Sequence, residues 1–151
     1  NNGRLGLNSD TQRSSPTEIH GGGTTWSTGI GKLAAGGLSS GAIKTDGTLW
    51  VWGYNSGGFL GLNNRTTYSS PVQVGNHTDW SRILSVSYQA ALATKTDGSL
   101  WIWGQNSNGL LGQNQGPSQL AGFSSPTQIP GVWPAGRLYG NGRTVMVIKE
   151  I

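Results

Sequence analysis

Cysteine is absent from this 151-residue chain, which excludes a disulfide framework, cysteine-based zinc sites and a thiol nucleophile, while naming no compartment. Charge is scarce: only 11% of residues are Asp, Glu, Lys or Arg, well below the usual share for a soluble domain. No apolar run approaches the ~18 residues needed to cross a bilayer. No basic start followed by an apolar stretch and a cleavage site is visible, so no secretory signal is read. Methionine does not begin the chain, and upstream sequence is expected to have been removed. The net charge of +4 comes from ten basic residues spread singly along the chain. Nucleic-acid binders gather such charge into a patch or stripe, so this partner class is disfavoured.

What the chain has instead is glycine, 26 of them, with seven tryptophans and much Asn, Ser and Thr. That composition suggests an all-β protein with many tight turns. A disordered chain would lack the tryptophans and the regular apolar runs.

The sequence also repeats. "SSPTEI" at Ser14–Ile19 returns as "SSPVQV" at Ser69–Val74 and "SSPTQI" at Ser124–Ile129. Pro16, Pro71 and Pro126 are therefore spaced by 55 and 55, and the following Trp26, Trp80 and Trp133 by 54 and 53. "TDGTLWVWG" from Thr45 and "TDGSLWIWG" from Thr96 lie 51 apart. Three markers share one period, and a fixed period of this length signals a repeat architecture. The units run 1–53, 54–104 and 105–151, the last incomplete.

Each unit reads as four short strands: Val72–Val74 after the Ser-Ser-Pro; the stretch "WSRILSVS", with Trp80, Ile83, Leu84 and Val86 for burial; Ala90–Lys95; and "SLWIWG". Asp46-Gly47 and Asp97-Gly98 predict type I′ hairpin turns, with positive φ at both central positions. In "LWVWG", Leu49, Val51 and Gly53 fall on one face, with Trp50 and Trp52 on the other. A strand apolar on both faces packs between neighbouring layers. Four-stranded units too small to bury both faces alone describe propeller blades or solenoid coils, and blades are favoured. The fold expected is all-β: blades of four-stranded antiparallel sheets forming a partial ring of about three.

The combination Ser-Ser-Pro, Trp, "A-I-K-TDG-x-L-W-x-WG-x-N-x-x-G-x-LG" resembles the regulator of chromosome condensation repeat family across essentially the whole chain. The resemblance implies a β-propeller in which each repeat spans parts of two blades. It also implies that Asp46, Gly47, Trp50, Trp52 and Gly53, with Asp97, Gly98, Trp101, Trp103 and Gly104, are blade-forming positions. The sequence departs from the pattern in holding only about three repeats, the third without an Asp-Gly turn or a Trp-x-Trp-Gly strand. A segment of a longer propeller is expected, with head-to-tail assembly of short chains as the alternative. An isolated arc would leave the apolar edge at Thr144–Ile148 unpaired. Family members include nucleotide exchange factors for a small GTPase. That activity is the lowest-ranked reading, because the loops that carry it are not resembled.

Catalytic constellations are lacking. His20 and His77 sit in Gly- and Asn-rich connectors with no defined partner acid, and read as exposed loop residues. Asp79 reads as a turn cap beside Trp80. Asp46 and Asp97 precede Gly in repeated hairpins and read as turn residues. The Ser-Ser-Pro triplets lack a nucleophile elbow. The loops "YNSGGFLGLN" and "QNSNGLLGQN" lack the Gly-Lys-Ser/Thr of a phosphate cradle. Asn64-Arg65-Thr66 and Asn76-His77-Thr78 match the glycosylation acceptor pattern and are set aside without a secretory signal. No enzyme, cofactor or metal is expected.

Binding remains. Variable connectors carry Tyr68, Leu120 and Phe123, apolar residues of the kind that anchor an interface; folding back onto the blade explains them equally well. The function expected is a non-enzymatic module for protein–protein interaction or scaffolding, its partner another protein or the remaining blades of the same propeller. The alternative is a surface-exposed structural or adhesive module of a virion, tail fibre or cell surface that binds glycans.

Overall fold

In the computed structural model, residues 3–19, 24–86, 89–118, 120–131, 133, 138–140 and 145–147 are described. They form strands and turns, with a single 3-10 turn at Ser107–Gly109 as the helical content among them. Strands β1 (Leu33–Ala35), β2 (Ser39–Ile43), β3 (Leu49–Gly53) and β4 (Tyr68–Gln73) make one antiparallel sheet in the order β1-β2-β3-β4. Strands β5 (Trp80–Val86), β6 (Ala90–Lys95), β7 (Leu100–Gln105) and β8 (Gly122–Ile129) make a second in the order β5-β6-β7-β8. A hairpin of β9 (Leu138–Gly140) and β10 (Val145–Val147) begins a third. Of the apolar edge expected at 144–148, only the β10 residues are described, and they pair with β9 on one side. No described helix is long and apolar enough to cross a membrane.

Sheet and sequence repeat are out of phase by one strand. The Ser-Ser-Pro segment is the fourth strand of the preceding sheet and does not begin the next: β4 pairs with β3 (Val51 opposite Val72), and β8 pairs with β7 (Ile102 opposite Thr127). It also starts earlier than expected, at Tyr68 in place of Val72. Pro71 and Pro126 therefore lie inside strands, not at their starts. Both strands are sheet edges, where a residue lacking an N–H is tolerated.

The Asp-Gly turns differ from the expected type. Gly47 N–H donates to Lys44 O (3.0 Å) and Lys44 N–H to Thr48 O (2.9 Å); Gly98 and Lys95 repeat the pattern at 3.1 and 3.0 Å. Gly47 (φ 79°) and Gly98 (φ 80°) have positive φ, while Asp46 and Asp97 do not. These are three-residue loops, a type I turn followed by a left-handed glycine, and not type I′ turns. The cause is the carboxylate. Asp46 Oδ1 accepts the Thr48 N–H (3.0 Å) and hydroxyl (2.6 Å), and Asp97 Oδ1 does the same with Ser99 (2.9 and 2.6 Å). Holding those donors two residues ahead keeps the aspartate backbone at negative φ.

The core joins the two sheets. Ile43, Leu49, Val51, Leu60 and Val74 from the first pack with Trp80, Ile83, Val86, Ala91, Ala93 and Trp103 from the second, all nearly sealed from solvent. Leu84, expected in this core, is half-buried against a second cluster built on Leu92, Leu100, Ile102 and Leu111. Gly41 permits the close approach: a Cβ there would lie 2.6 Å from Ile83 Cδ1 and 3.1 Å from Val86 Cγ2. Neither sheet keeps both faces dry without its neighbour.

Candidate interaction surfaces

Three elements recur where one sheet meets the next, and each grows from a repeated motif. The first is a Gly-x-Leu-Gly-x-Asn loop: "GRLGLN" at 3–8, "GFLGLN" at 58–63 and "GLLGQN" at 109–114. All three have one backbone form. The first glycines have φ of 64°, 77° and 73°, the second 68°, 72° and 61°, and the asparagines 54°, 55° and 53°. A buried asparagine closes the later two: Asn55 Oδ1 accepts the Leu60 N–H (2.9 Å) and Asn106 Oδ1 the Leu111 N–H (3.0 Å).

The first two loops dock identically on a sheet. Trp52 Nε1 donates to Arg4 O, and Trp103 Nε1 to Phe59 O, both at 2.9 Å. Asn8 N–H donates to Ser69 O, and Asn63 N–H to Ser124 O, both at 2.7 Å. A Cβ on Gly6 would lie 2.9 Å from Trp52 Nε1, and one on Gly61 2.8 Å from Trp103 Nε1. Trp52 and Trp103 thus sit almost wholly buried under a loop.

The second element is a lysine held among indoles. Lys44 is 1% exposed, its Nζ 3.9 Å from the Trp50 ring centre and 5.1 Å from that of Trp26. Lys95 is 5% exposed, 4.8 Å from Trp101 and 5.2 Å from Trp80. Desolvated cation–π contacts of this kind stabilise by about 2 kcal/mol. Lys95 also pairs with Asp79 (3.1 Å) and bonds His77 Nδ1 (3.0 Å). His77 is an exposed connector residue, as expected, with its ring against Trp80 and Trp101. Asp79, expected to cap a turn, instead pairs with Lys95. His20 lies outside the described residues.

The third element is the groove between sheets. One cavity of about 320 Å³ is lined by Ser56, Asn64, Arg65, Gln105, Phe123 and Ser124 among others. A second, about 310 Å³, is lined by Gln73, Asn76, His77, Trp80, Trp101 and Pro126 among others. Both are large enough for a side chain or a small polar ligand.

Of the expected anchors, Tyr68, Leu120 and Phe123 are all half-buried and packed on the cores. Phe123 alone of them lines a cavity described here. Asn64 donates to Tyr68 Oη (3.2 Å) and to Leu62 O (3.2 Å), so the side chain of the first glycosylation pattern is engaged internally. The hairpin aspartates are exposed, and hydrogen bonds from Thr48 and Ser99 hold the Asp46 and Asp97 carboxyls below the usual aspartate range. Trp50 and Trp101 donate their indole N–H to those same hydroxyls at 2.8 Å. Lys44 and Lys95 are the residues sequence reasoning passed over; their recurrence just before Thr-Asp-Gly was the available signal. Among the described residues no group of three or more His, Asp or Glu side chains is placed to hold a metal.

Residues 46–88 match the Regulator of chromosome condensation (RCC1) repeat. Over 85 residues, 55% of this chain, the sequence is 33% identical to the ultraviolet-B receptor UVR8 of Arabidopsis thaliana, covering 19% of that protein. The X-linked retinitis pigmentosa GTPase regulator of Canis lupus familiaris is 39% identical over 82 residues, 53% of this chain and 8% of that protein. The chain thus spans about a fifth or less of the curated relatives named here. The fold resembles human WBSCR16 (TM-score 0.56, 22% identity, 65% of this chain and 24% of that one). It also resembles Prp20p of Saccharomyces cerevisiae, a protein with binding properties to Gsp1p and histones (TM-score 0.55, 17% identity, 72% and 28%).

Proposed function

The chain is built from regulator of chromosome condensation repeats, and on that premise we propose that it is a non-enzymatic propeller module that binds a protein partner. The observation that carries this reading is the cavity between the sheets at Arg65, Gln105 and Phe123. A half-buried aromatic floor with an exposed cation and amides at its rim has the anatomy of a peptide-docking site. The rigid double sheet beneath supplies a scaffold with little ordering cost. The protein partners of Prp20p belong to the same functional class.

The test is quantitative affinity capture from the native host with the wild type and the variant Arg65→Glu/Gln105→Arg. Both side chains are exposed, so the thermal midpoint is expected to stay within about 2 °C. Loss of the bound proteins is expected; an unchanged bound set would remove the assignment of this surface. Turnover by the purified chain would remove the non-enzymatic reading, and accelerated nucleotide release from a small GTPase would replace it with exchange activity.

The second cavity favours the other reading, a glycan-binding adhesive module. Trp101 offers a half-exposed indole, and Asn63, Gln73, Asn76 and Ser125 bring both donors and acceptors around it. Titration with methyl glycosides, followed by saturation transfer, tests it; no transfer to any pyranoside would exclude it.

A further inference from the structure

The position two residues past the loop asparagine differs in every unit: Asp10 after Asn8, Arg65 after Asn63 and Gly116 after Asn114. A residue that the architecture required would recur, as the glycines and the buried indoles do. Arg65 is therefore outside the shared skeleton, and its setting belongs to the second unit. The Thr66 N–H donates to Asn64 Oδ1 (3.0 Å), which closes an Asx turn with Arg65 at its tip. Asn64 is itself fixed. Asn55 Nδ2 donates to the same oxygen (3.2 Å), and the Asn64 amide donates to Leu62 O and Tyr68 Oη, both at 3.2 Å. The backbone that carries Arg65 is thus set in advance, and holding a ligand there orders little further chain.

Nothing described uses the guanidinium. Arg65 is exposed, and among the described residues it has no hydrogen bond or ion pair. The cavity of about 320 Å³ that it lines holds no carboxylate, only hydroxyls, amides, backbone and the Phe123 ring. Acids described elsewhere are committed: Asp46 and Asp97 to Thr48 and Ser99 in their hairpins, Asp79 to Lys95. A cavity whose one charged group is a cation selects an anion. The planar fork of a guanidinium matches a carboxylate through two parallel hydrogen bonds. Gln105, exposed at the same rim, adds an amide donor, and half-buried Phe123 supplies an apolar wall.

We infer that this cavity binds an acidic segment of a protein partner, which presents an aspartate or glutamate to Arg65 and a neighbouring apolar side chain to Phe123. The inference rests on the protein-binding reading above and narrows it to one chemistry: the carboxylate supplies the selectivity, and the apolar neighbour supplies the buried area.

The experiment selects phage-displayed random heptapeptides on the unmodified chain and on Arg65→Glu. Peptides enriched on the unmodified chain are expected to carry Asp or Glu beside an apolar residue, and those enriched on Arg65→Glu to carry Lys or Arg instead. The most enriched acidic peptide, labelled and titrated by fluorescence anisotropy, is expected to bind Arg65→Gln at least about tenfold more weakly. Replacing its acid by the matching amide should cost the same factor on the unmodified chain and nothing further on Arg65→Gln, since both changes remove one contact. Arg65 is exposed and makes no described contact, so the thermal midpoint of Arg65→Gln should stay within about 2 °C and separate lost binding from lost fold. Enriched peptides without an acid, no enrichment over a bare surface, or equal affinity for Arg65→Gln would overturn the inference. If Arg65→Glu/Gln105→Arg loses its partners in host extract while the selection shows no acidic preference, the carboxylate assignment falls and partner binding stands. Unchanged capture by that variant removes both.

Discussion

Gly61 and Gly112 occupy equivalent positions in two loops of one shape, with φ of 72° and 61°. Alanine at either carries the same left-handed backbone penalty, about 1–2 kcal/mol. Their surroundings differ. The new Cβ at 61 would lie 2.8 Å from Trp103 Nε1 and 3.0 Å from two further indole atoms, while at 112 nothing lies closer than 3.9 Å. Trp103 is fully buried, with its N–H already committed to Phe59 O, so the ring has little room to retreat. Overpacking against such a ring costs about 1–3 kcal/mol beyond the backbone term. Gly61→Ala is therefore expected to destabilise by about 2–5 kcal/mol and Gly112→Ala by about 1–2. The difference isolates the loop-to-sheet contact, because the conformational term cancels. Urea unfolding of the two variants and the parent, followed by tryptophan emission, reads it directly. Equal losses would refute the claim that these loops hold the sheets together through the buried indole.

Three further outcomes are expected. Lys95→Met gives up the cation–π contacts and the Asp79 pair but also relieves the desolvation of a 5% exposed ammonium; it is expected to cost under about 2 kcal/mol by urea unfolding. Lys95→Glu, placing an anion against two indole faces, is expected to cost more than about 4 kcal/mol or to abolish folding. The lowered carboxyls of Asp46 and Asp97 make a pH prediction whose sign follows from linkage. Their stabilisation is fully present above the ordinary aspartate range, near pH 4, and is lost as pH falls through their lower folded values. The thermal midpoint of the parent should accordingly fall more steeply between pH 5 and pH 2 than that of Asp46→Asn/Asp97→Asn, and parallel curves would contradict the turn geometry.

The period, the strand Leu-Trp-x-Trp-Gly and the pairing of its two faces were legible because each signal was present twice at a fixed spacing. The phase of the repeat was not. A periodic sequence can be cut anywhere without changing its period, so whether Ser-Ser-Pro opens one sheet or closes the previous one is decided by pairing across a loop such as 54–67. The turn type was misread for a local reason: Asp-Gly fits both type I′ and the three-residue loop. The residue after the glycine settles it, since Thr48 and Ser99 supply the hydroxyl that the aspartate captures.

The lysines show where local reading ends. In isolation Lys44 and Lys95 terminate apolar strands just before exposed turns, which is where a solvated cation is expected. Burial comes from a tryptophan distant in sequence: Trp26, bridged to Lys44 outside the named strands, closes over the first lysine, and Trp80, at the start of β5, over the second. The Asp79 that neutralises Lys95 sits in the connector between sheets. The charge is therefore structural, and in the second unit it also lies against a histidine, His77. The units share one skeleton but differ in sequence in their connectors, at 75–79 and 130–132. The contacts at Gly61 and Trp103 recur at Gly6 and Trp52, whereas the connectors and the cavities they line differ between units. In the proposed binding role, selectivity would rest there, on residues such as Arg65 and Asn76.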